Sequence, residues 1–422
     1  MKLQKLFLLL ASCTLLAGCD ISNKDNENSS GSGATSEEVD VLPINAKEYT
    51  IMIYMCGSNL ESDYGEATAN IAEMLSVNID SSKINLIIET GGSERWKNYG
   101  ISNNKLSRYH VEGNQLKLDT TLTNASMGDT DTFQSFMEWG LKDYPAKKTG
   151  VILWNHGGAM EGCCNDDVKG GELLNSEVKD ALGKAFTAQN RKSKLEWIGY
   201  DCCLMQVADV ASYNSQYFNY MVASQESEMG GGWDYDQWLP TLKSNTSVDT
   251  VTLLSKICDT FIPKNGAEFN DPDDNDGTLS VLDLSKMAEF DSKFKTLAAN
   301  LTSVITTKSK FSNMFDGVME FGYDDSGYYK VYQFDMHDAK GLFQRIESLH
   351  SGKGASACVT ALDDLVVYHL NGNAASSACG LSIFGATTEY TKKATYSTSE
   401  TPYSDWRTLN ISYGAWDTGY GY

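Results

Sequence analysis

Short apolar runs alternate with helical patterns through the first half of the chain, and this alternation constrains the fold most strongly. Residues 50–55 and 84–88 are largely apolar and of strand length, which is typical of strands buried on both faces. Between them, Ala67, Ile71 and Met74 recur at helical spacing. A strand–helix–strand order predicts a parallel sheet covered by helices.

The same patterns continue along the chain. Further strands are predicted at residues 151–154, 195–200, 220–224, 278–284, 329–334 and 379–384. Helices are predicted at residues 176–186, 204–217, 248–261, 285–305 and 355–370. The turn residues 112–114 favour a β-hairpin over 106–122. The expected fold is a three-layer αβα sandwich with a central, mostly parallel sheet, and a smaller C-terminal region covering one edge.

Two of the predicted strands end abruptly in residues capable of catalysis. Val151-Ile152-Leu153-Trp154 is followed by Asn155, His156 and two glycines, and the strand ending at Tyr200 is followed by Asp201, Cys202 and Cys203. Ligands of doubly wound sheets bind at the carboxyl ends of the strands, so both ends can share one crevice.

Cysteine nucleophiles work with a histidine that handles the proton, and this pair supplies both groups. Cys203 is expected at the N-terminus of the helix over 204–217, whose dipole would favour the thiolate. The backbone N–H groups of Gly157 and Cys203 are candidate donors to an oxyanion. Taken singly, however, His156 fits a turn residue, and the two adjacent cysteines fit packing or a disulfide.

Strand alternation places Asp201 and Cys203 on one side and Cys202 on the other. A carboxylate at the floor of a cleft selects Lys or Arg side chains by charge, so Asp201 is a candidate for substrate recognition. Its alternative role is a helix cap. Cys202 is then a packing residue.

These segments resemble the clostripain family of cysteine peptidases, relatives of caspases and gingipains. The matching stretches are YTIMIYMCGSNLESD, VILWNHGG, EWIGYDCCLM, VASQESEMGGGWDYDQWL, TLSVLDLSK, KVYQFDMHD and GLSIFG. They occur in order from about residue 49 to about residue 384. The resemblance implies a caspase-like fold and an endopeptidase that cleaves after Arg or Lys, with no organic cofactor.

When the functional residues of the family are matched to the motifs of this sequence, the resemblance implies His156 as the catalytic histidine, Cys203 as the nucleophile and Asp201 as the acid of the substrate pocket. The alanine of the family motif is Cys202 here, which puts two adjacent thiols at the site. The glycine-rich segment 230–234 is expected to form a pocket wall, and Asp234 is a further candidate for binding a basic side chain, although a plain loop acid fits equally well.

Members of this family also cleave themselves between the histidine and the cysteine, which implies the same here. The polar loop 163–172 contains one basic residue, and self-cleavage is expected after Lys169, with Lys192 and Lys194 as alternatives. Some relatives need calcium. Asp166, Asp167 and Glu172 could bind it, but they lack an EF-hand pattern and are interpreted as a solvated loop.

The N-terminus has the features of an export signal. Lys2 and Lys5 precede a short apolar run, and residues 15–19 (LLAGC) resemble a bacterial lipobox. We therefore expect a lipoprotein signal peptide over 1–18, lipidation of Cys19 and a disordered tether over 19–47. A plain secretory signal is the alternative. The protein is expected in the bacterial cell envelope, anchored to a membrane outside the cytoplasm.

The remaining chain is predicted to hold the catalytic domain over 48–265 and a continuation of the fold with the C-terminal region over 266–422. The protein is expected to be a monomer whose partners are proteins or peptides with basic residues. A net charge of −22 argues against nucleic acid as a partner. The other histidines are interpreted as structural: His110, His337, His350 and His369.

The ten cysteines do not have zinc-ligand spacing, and no metal site is predicted. Two other functions compete with a peptidase. A surface-binding lipoprotein without activity would not need the histidine–cysteine pair. A thiol-redox protein would need two cysteines separated by two residues, which the chain lacks.

Overall fold

A computed structural model describes residues 40, 42–267, 271–322, 334–387, 396 and 400–416. Its strands are β1 (Lys47–Cys56), β2 (Ile84–Gly91), β3 (Lys105–Glu112), β4 (Gln115–Thr123), β5 (Ala146–Trp154), β6 (Leu195–Asp201), β7 (Phe218–Ala223), β8 (Thr278–Asp283), β9 (Glu320–Phe321), β10 (Met336–Asp338), β11 (Val366–Asn371) and β12 (Ser382–Phe384).

A large mixed sheet has the strand order β11-β8-β7-β6-β5-β1-β2-β3-β4. Its middle, from β7 to β2, is parallel, whereas β3 and β4 on one side and β8 and β11 on the other are antiparallel. The central parallel sheet predicted from the apolar runs is confirmed. β8 and β11 come from the part of the chain after residue 266 and form one edge of the same sheet.

Both faces of the sheet are buried, because successive side chains of each central strand point to opposite sides. In β1, Met52 and Tyr54 belong to one apolar core, and Ile51 and Ile53 belong to the other. This explains why the central strands read as continuous apolar runs.

Helices cover both faces. They are α1 (Glu66–Ser76), α2 (Thr130–Asp143), α3 (Asn175–Ala188), α4 (Ala208–Asn214), α5 (Tyr235–Ser244), α6 (Thr250–Gly266), α7 (Met287–Leu301), α8 (Lys308–Ser312), α9 (Ala339–Leu349), α10 (Ala355–Leu365) and α11 (Ser404–Tyr413). Helices α1, α5 and α6 pack in one core, and α2, α3, α4, α7, α9, α10 and α11 pack in the other. None of the helices within these ranges combines the length and apolarity that a bilayer span requires.

A small second sheet has the order β12-β10-β9 and is antiparallel. A parallel bridge between Val207 and Ser382 joins it to the segment between β6 and α4. This bridge places β12 next to the segment that follows Cys203.

Several predicted elements differ from the structure at their ends; for example, the predicted helix over 285–305 is α7 and ends at Leu301. The predicted helix over 204–217 is α4 and begins only at Ala208. The predicted helix over 355–370 ends at Leu365, and residues 366–371 form β11, whose Val366, Val367 and Tyr368 favour a strand. The predicted late strand 379–384 is shortened to β12. The predicted strand 329–334 falls outside the described residues except for its last position. The predicted signal peptide and Cys19 also lie outside them.

Candidate active site

The ends of β5 and β6 bring the predicted catalytic residues to the same edge of the sheet. The two strands are parallel neighbours, with Trp154 of β5 paired to Asp201 of β6. The N–H of Asn155 donates to the carbonyl of Asp201 over 3.3 Å, which continues the pairing past Trp154. The chain segments that carry His156 and Cys203 therefore leave the sheet side by side.

A cavity of about 210 Å³ opens at this edge. It is lined by both residues of the predicted pair, His156 and Cys203, and by two carboxyl groups, those of Asp201 and Glu228. Gly230 and Gly232 of the glycine-rich segment form part of its wall. One pocket thus combines a thiol, an imidazole and two acids.

The imidazole of His156 is held by a residue of the loop after β1. Its Nε2 lies 2.7 Å from Oδ1 of Asn59. The neighbouring Asn155 fixes this loop, because its amide donates to the Cys56 carbonyl over 2.7 Å and to the Ser58 hydroxyl over 2.8 Å. Burial lowers the pKa of His156, and the charge of Asp167 partly opposes this change.

Cys203 is half-buried, and its sulfur accepts a hydrogen bond from the N–H of Glu228 over 3.2 Å. Burial raises the pKa of the Cys203 thiol, while the backbone N–H groups of Glu228 and Gly157 partly oppose this effect. Both candidate oxyanion donors, the N–H groups of Gly157 and Cys203, act on this sulfur. Both pKa shifts favour the neutral forms of the thiol and the imidazole in the resting enzyme.

The prediction that a helix dipole favours the Cys203 thiolate is wrong, because no helix starts at Cys203. Leu204 has φ +66° and turns the chain. Its N–H then donates to the carbonyl of Glu226, and that of Gln206 donates to Ser224. These long-range bonds replace the helical ones, and α4 begins four residues after Leu204.

Cys202 also contributes to the cavity lining, but its thiol is turned into a hydrophobic core. Its side chain is buried in this core, and its thiol donates to the Leu153 carbonyl over 3.3 Å. Cys163 and Cys164 are buried in the same core. All eight cysteines that the structure describes are free.

Asp201 is buried, and its carboxylate accepts hydrogen bonds from the Trp233 N–H over 3.1 Å and the Tyr235 hydroxyl over 2.8 Å. Burial raises the pKa of Asp201 to about 6, and these donors counteract the rise. Gly232 permits the close approach of the loop, since it has φ +58° and an added Cβ would lie 2.8 Å from Asp201 Oδ1. Asp201 is therefore a fixed acid and does not cap α4.

Glu228 is the acid that the sequence patterns did not single out. Its two carboxyl oxygens are buried, and its carboxyl group lies within hydrogen-bonding reach of the Asp201 carboxyl and the Trp233 side chain. Burial and the charge of Asp201 raise its pKa well above the ordinary value. The loop between β7 and α5 contains three acids, Glu226, Glu228 and Asp234, and the sequence alone does not distinguish the one that enters the cavity.

The comparisons with known proteins agree with this geometry. The model of the clostripain family of peptidases matches residues 53–418. This chain belongs to the clostripain family. It is a cysteine peptidase. Clostripain of Hathewaya histolytica is 26% identical over 437 residues, covering 88% of this chain and 80% of that protein.

Solved structures of the clostripain family show the same fold. A secreted C11 cysteine protease from Bacteroides thetaiotaomicron, in complex with an irreversible peptide inhibitor, matches with a TM-score of 0.62 at 16% identity, over 86% of this chain and 99% of that chain. An inactive zymogen C11 protease from Parabacteroides distasonis matches with a TM-score of 0.58 at 19% identity, over 88% and 96%.

Two other residues inferred from the clostripain family lie outside the cavity wall. Asp234 is not among the residues that line the cavity, and it directly precedes α5. Burial and the neighbouring Asp236 carboxyl raise the pKa of Asp234 to about 6. Lys169 is exposed in the loop after His156. Its N–H and that of Val168 donate to Oδ1 of Asp166 over 2.7 and 2.8 Å.

The loop acids considered for calcium do not converge. Asp166 is buried, and its second oxygen accepts the Met127 N–H over 2.8 Å. Asp167 is exposed and accepts a hydrogen bond from Asn165 over 3.0 Å. Within the residues described, these side chains and Glu172 do not form a group with metal-ligand separations. Asp166 instead organises the turn that presents Lys169.

Proposed function

We propose that this peptidase cleaves peptide bonds after Arg or Lys, with Cys203 as nucleophile and His156 as its acid–base partner. The observation that carries the proposal is the pair of buried carboxyl groups, Asp201 and Glu228, in the cavity that also contains the thiol. Two carboxyl groups buried side by side are costly to ionise, and a cation between them would lower this cost. A guanidinium or ammonium group supplies both charge and several N–H donors.

The reaction begins when His156 takes the thiol proton of Cys203 and the sulfur attacks the carbonyl carbon. The resulting oxyanion accepts hydrogen bonds from the N–H groups of Gly157 and Cys203. The C–N bond then breaks, and the imidazolium gives its proton to the leaving amine. Water, deprotonated by His156, hydrolyses the thioester and releases the acid and the free thiol.

A peptide panel tests this proposal. Fluorogenic substrates with Arg, Lys, Asp or Leu before the scissile bond are compared on wild type, Cys203→Ala, Cys202→Ala and Asp201→Ala. We expect hydrolysis only after the basic residues, loss of activity in Cys203→Ala, retention in Cys202→Ala and strong weakening in Asp201→Ala. Cleavage after Asp or Leu at the rate seen after Arg would contradict the assigned pocket.

We also propose self-cleavage after Lys169. Its side chain is exposed in a turn closed by the Gly170 N–H donating to the Asp166 carbonyl over 2.8 Å. Mass spectrometry of the purified active protein should find a new N-terminus at Gly170, absent from Cys203→Ala and from Lys169→Ala. Lys179→Ala is the matched control, because that residue lies in α3 and pairs with Glu400. A single uncut chain with full activity would refute the processing.

Export as a lipoprotein is the third part of the proposal, and it rests on the LLAGC sequence before residue 20. One related protease is described as secreted. Expression in a bacterial host with an alkyne-tagged fatty acid should label wild type and leave Cys19→Ala unlabelled. Equal labelling of wild type and Cys19→Ala would count against lipidation at Cys19. So would an unlabelled wild type whose signal peptide is cleaved at another position.

A further inference from the structure

One group of three metal-ligating side chains stands apart from the active site. Glu320 of β9, His337 of β10 and Asp335, which precedes β10, offer one ligand atom each, and among the described residues these atoms all lie within 4.8 Å of one another. Glu320 and His337 are direct cross-strand partners in the antiparallel β9–β10 pair. Directly opposed residues project from the same face of a sheet, which explains their convergence.

The ring of His337 is oriented by the strand that follows. Its Nε2 lies 3.0 Å from the Gly385 carbonyl, an acceptor, so Nε2 carries the proton and donates it. The lone pair is then on Nδ1, which is buried and has no hydrogen-bond partner among the described residues. A neutral imidazole with one nitrogen donating to a backbone carbonyl and the other free is the usual state of a metal ligand.

Asp335 is oriented by the same neighbouring segment. It is fully buried, and its Oδ1 accepts the hydroxyl of Thr387 over 2.9 Å, while the Gly385 N–H donates to its backbone carbonyl over 2.9 Å. Thr387 Oγ1 also lies 3.3 Å from Nε2 of His337. The two buried ligands therefore share supporting contacts, as in built metal sites.

We propose that Glu320, Asp335 and His337 bind a divalent first-row transition ion, for which Zn²⁺ is the probe, through two carboxylate oxygens and the imidazole Nδ1. One nitrogen and two oxygens are ligands that such ions accept, and three protein ligands leave a fourth position for water. Tetrahedral zinc with bonds of about 2.0–2.1 Å requires ligand atoms about 3.4 Å apart. The partly exposed Glu320 side chain is free to make this adjustment.

The position of the site suggests a structural role for the ion, since it would join β9 to β10. Two residues after Glu320, the Gly322 N–H donates to the Glu226 carboxylate over 2.9 Å. Glu226 lies two residues from the pocket acid Glu228, and its backbone carbonyl accepts the N–H of Leu204 over 3.1 Å. The ion would thus stabilise the small sheet next to the active site without contacting the substrate.

Zinc binding is tested on the full-length chain carrying Cys203→Ala, which cannot digest itself and lacks the half-buried thiol. Equilibrium dialysis with metal analysis should show that adding Glu320→Gln removes one equivalent of bound Zn²⁺, or raises the Kd of that equivalent more than about 10-fold. Adding Glu289→Gln is the matched control, because that exposed acid pairs with Lys293 on α7. Equal zinc binding by all three proteins, or none by any, would overturn the proposal.

Two further readouts do not depend on how well the Glu320 variant folds. X-ray absorption of the zinc-loaded Cys203→Ala protein should show nitrogen and oxygen neighbours including one imidazole. A dominant sulfur shell would place the ion at the buried thiols and overturn the assignment. The melting temperature of this protein should rise by roughly 3–5 °C at a zinc concentration about 100-fold above Kd, and no rise at that saturation would also contradict it.

Discussion

The carboxyl group of Glu228 lies beside that of Asp201 at the base of the cavity, and the charge of Asp201 adds to burial in raising the pKa of Glu228. With a pKa of about 6, Asp201 favours its ionised form at neutral pH, whereas the strongly raised pKa of Glu228 favours its neutral form. The pair therefore presents close to one negative charge to a substrate. This asymmetry leads to different expectations for the two acids.

Asp201→Asn should lower kcat/KM for Arg substrates by about 10- to 100-fold, because a hydrogen bond between charged groups contributes about 1.5–3 kcal/mol. Glu228→Gln should lower kcat/KM only several-fold, since the raised pKa of Glu228 already favours the neutral carboxyl that this change imitates. Steady-state kinetics with one Arg peptide measures both. A larger loss in Glu228→Gln than in Asp201→Asn would show that the ionised acid has been assigned wrongly.

Selectivity for a basic side chain should depend on pH through Asp201. Its raised pKa of about 6 means that the carboxylate is charged above this pH and becomes neutral as the pH falls through it. The attraction for an Arg side chain is therefore present at pH 7 and lost toward pH 5. The measurement is the ratio of kcat/KM for an Arg peptide to that for its neutral citrulline analogue, from about pH 5 to about pH 8.

Taking a ratio removes the titration of His156 and Cys203, which affects both peptides alike. The ratio should fall about 10-fold or more on the acid side in wild type and stay nearly flat in Asp201→Asn. An equally steep change in that variant would assign the titration to another group.

The sequence predicted correctly that His156 and Cys203 lie at one edge of the sheet, because the evidence for this was local. His156 and Cys203 each follow an apolar strand, and adjacent parallel strands end at one edge, so proximity follows from topology. The prediction that Cys202 is a packing residue agrees with its burial, although β6 ends one residue before it. These arguments need only the period of a strand and the order of the sheet.

The features that the sequence did not predict depend on contacts distant along the chain. Leu204 continues an apolar helical pattern, yet its N–H bonds to Glu226, so the helix starts later. Glu228 becomes a pocket acid only because its loop folds over the end of β6. Glu320 and His337 are 17 positions apart and meet only through the pairing of β9 with β10.

Asn59 offers a further prediction, since its side chain contacts the imidazole of His156, the proposed acid–base group. Asn59→Ala removes the 2.7 Å contact to Nε2 of His156 and should lower kcat by roughly 5- to 10-fold, the effect of about 1 kcal/mol, with little change in KM. Asn59→Asp keeps an oxygen acceptor and should restore much of the rate. A change in KM alone, or no rescue by Asp, would exclude a positioning role.

Gly157 provides the strictest steric prediction, because its backbone passes directly over the residue proposed as nucleophile. A Cβ at this position would lie 2.1 Å from the Cys203 carbonyl oxygen, a rigid backbone atom. Gly157→Ala must therefore displace either His156 or Cys203, and the displacement also moves a proposed oxyanion donor. Loss of one such donor alone costs about 10²–10³ in kcat.

The adjacent glycine is the matched control for this change. At Gly158 an added Cβ would meet the Glu161 Cβ at 3.2 Å, a side-chain atom that a small movement can relieve. We expect Gly158→Ala to keep kcat within a few-fold of wild type, and Gly157→Ala to lose at least about 100-fold while remaining folded by circular dichroism. Comparable activity of the two variants would mean that the backbone at Gly157 takes no part in forming the oxyanion site.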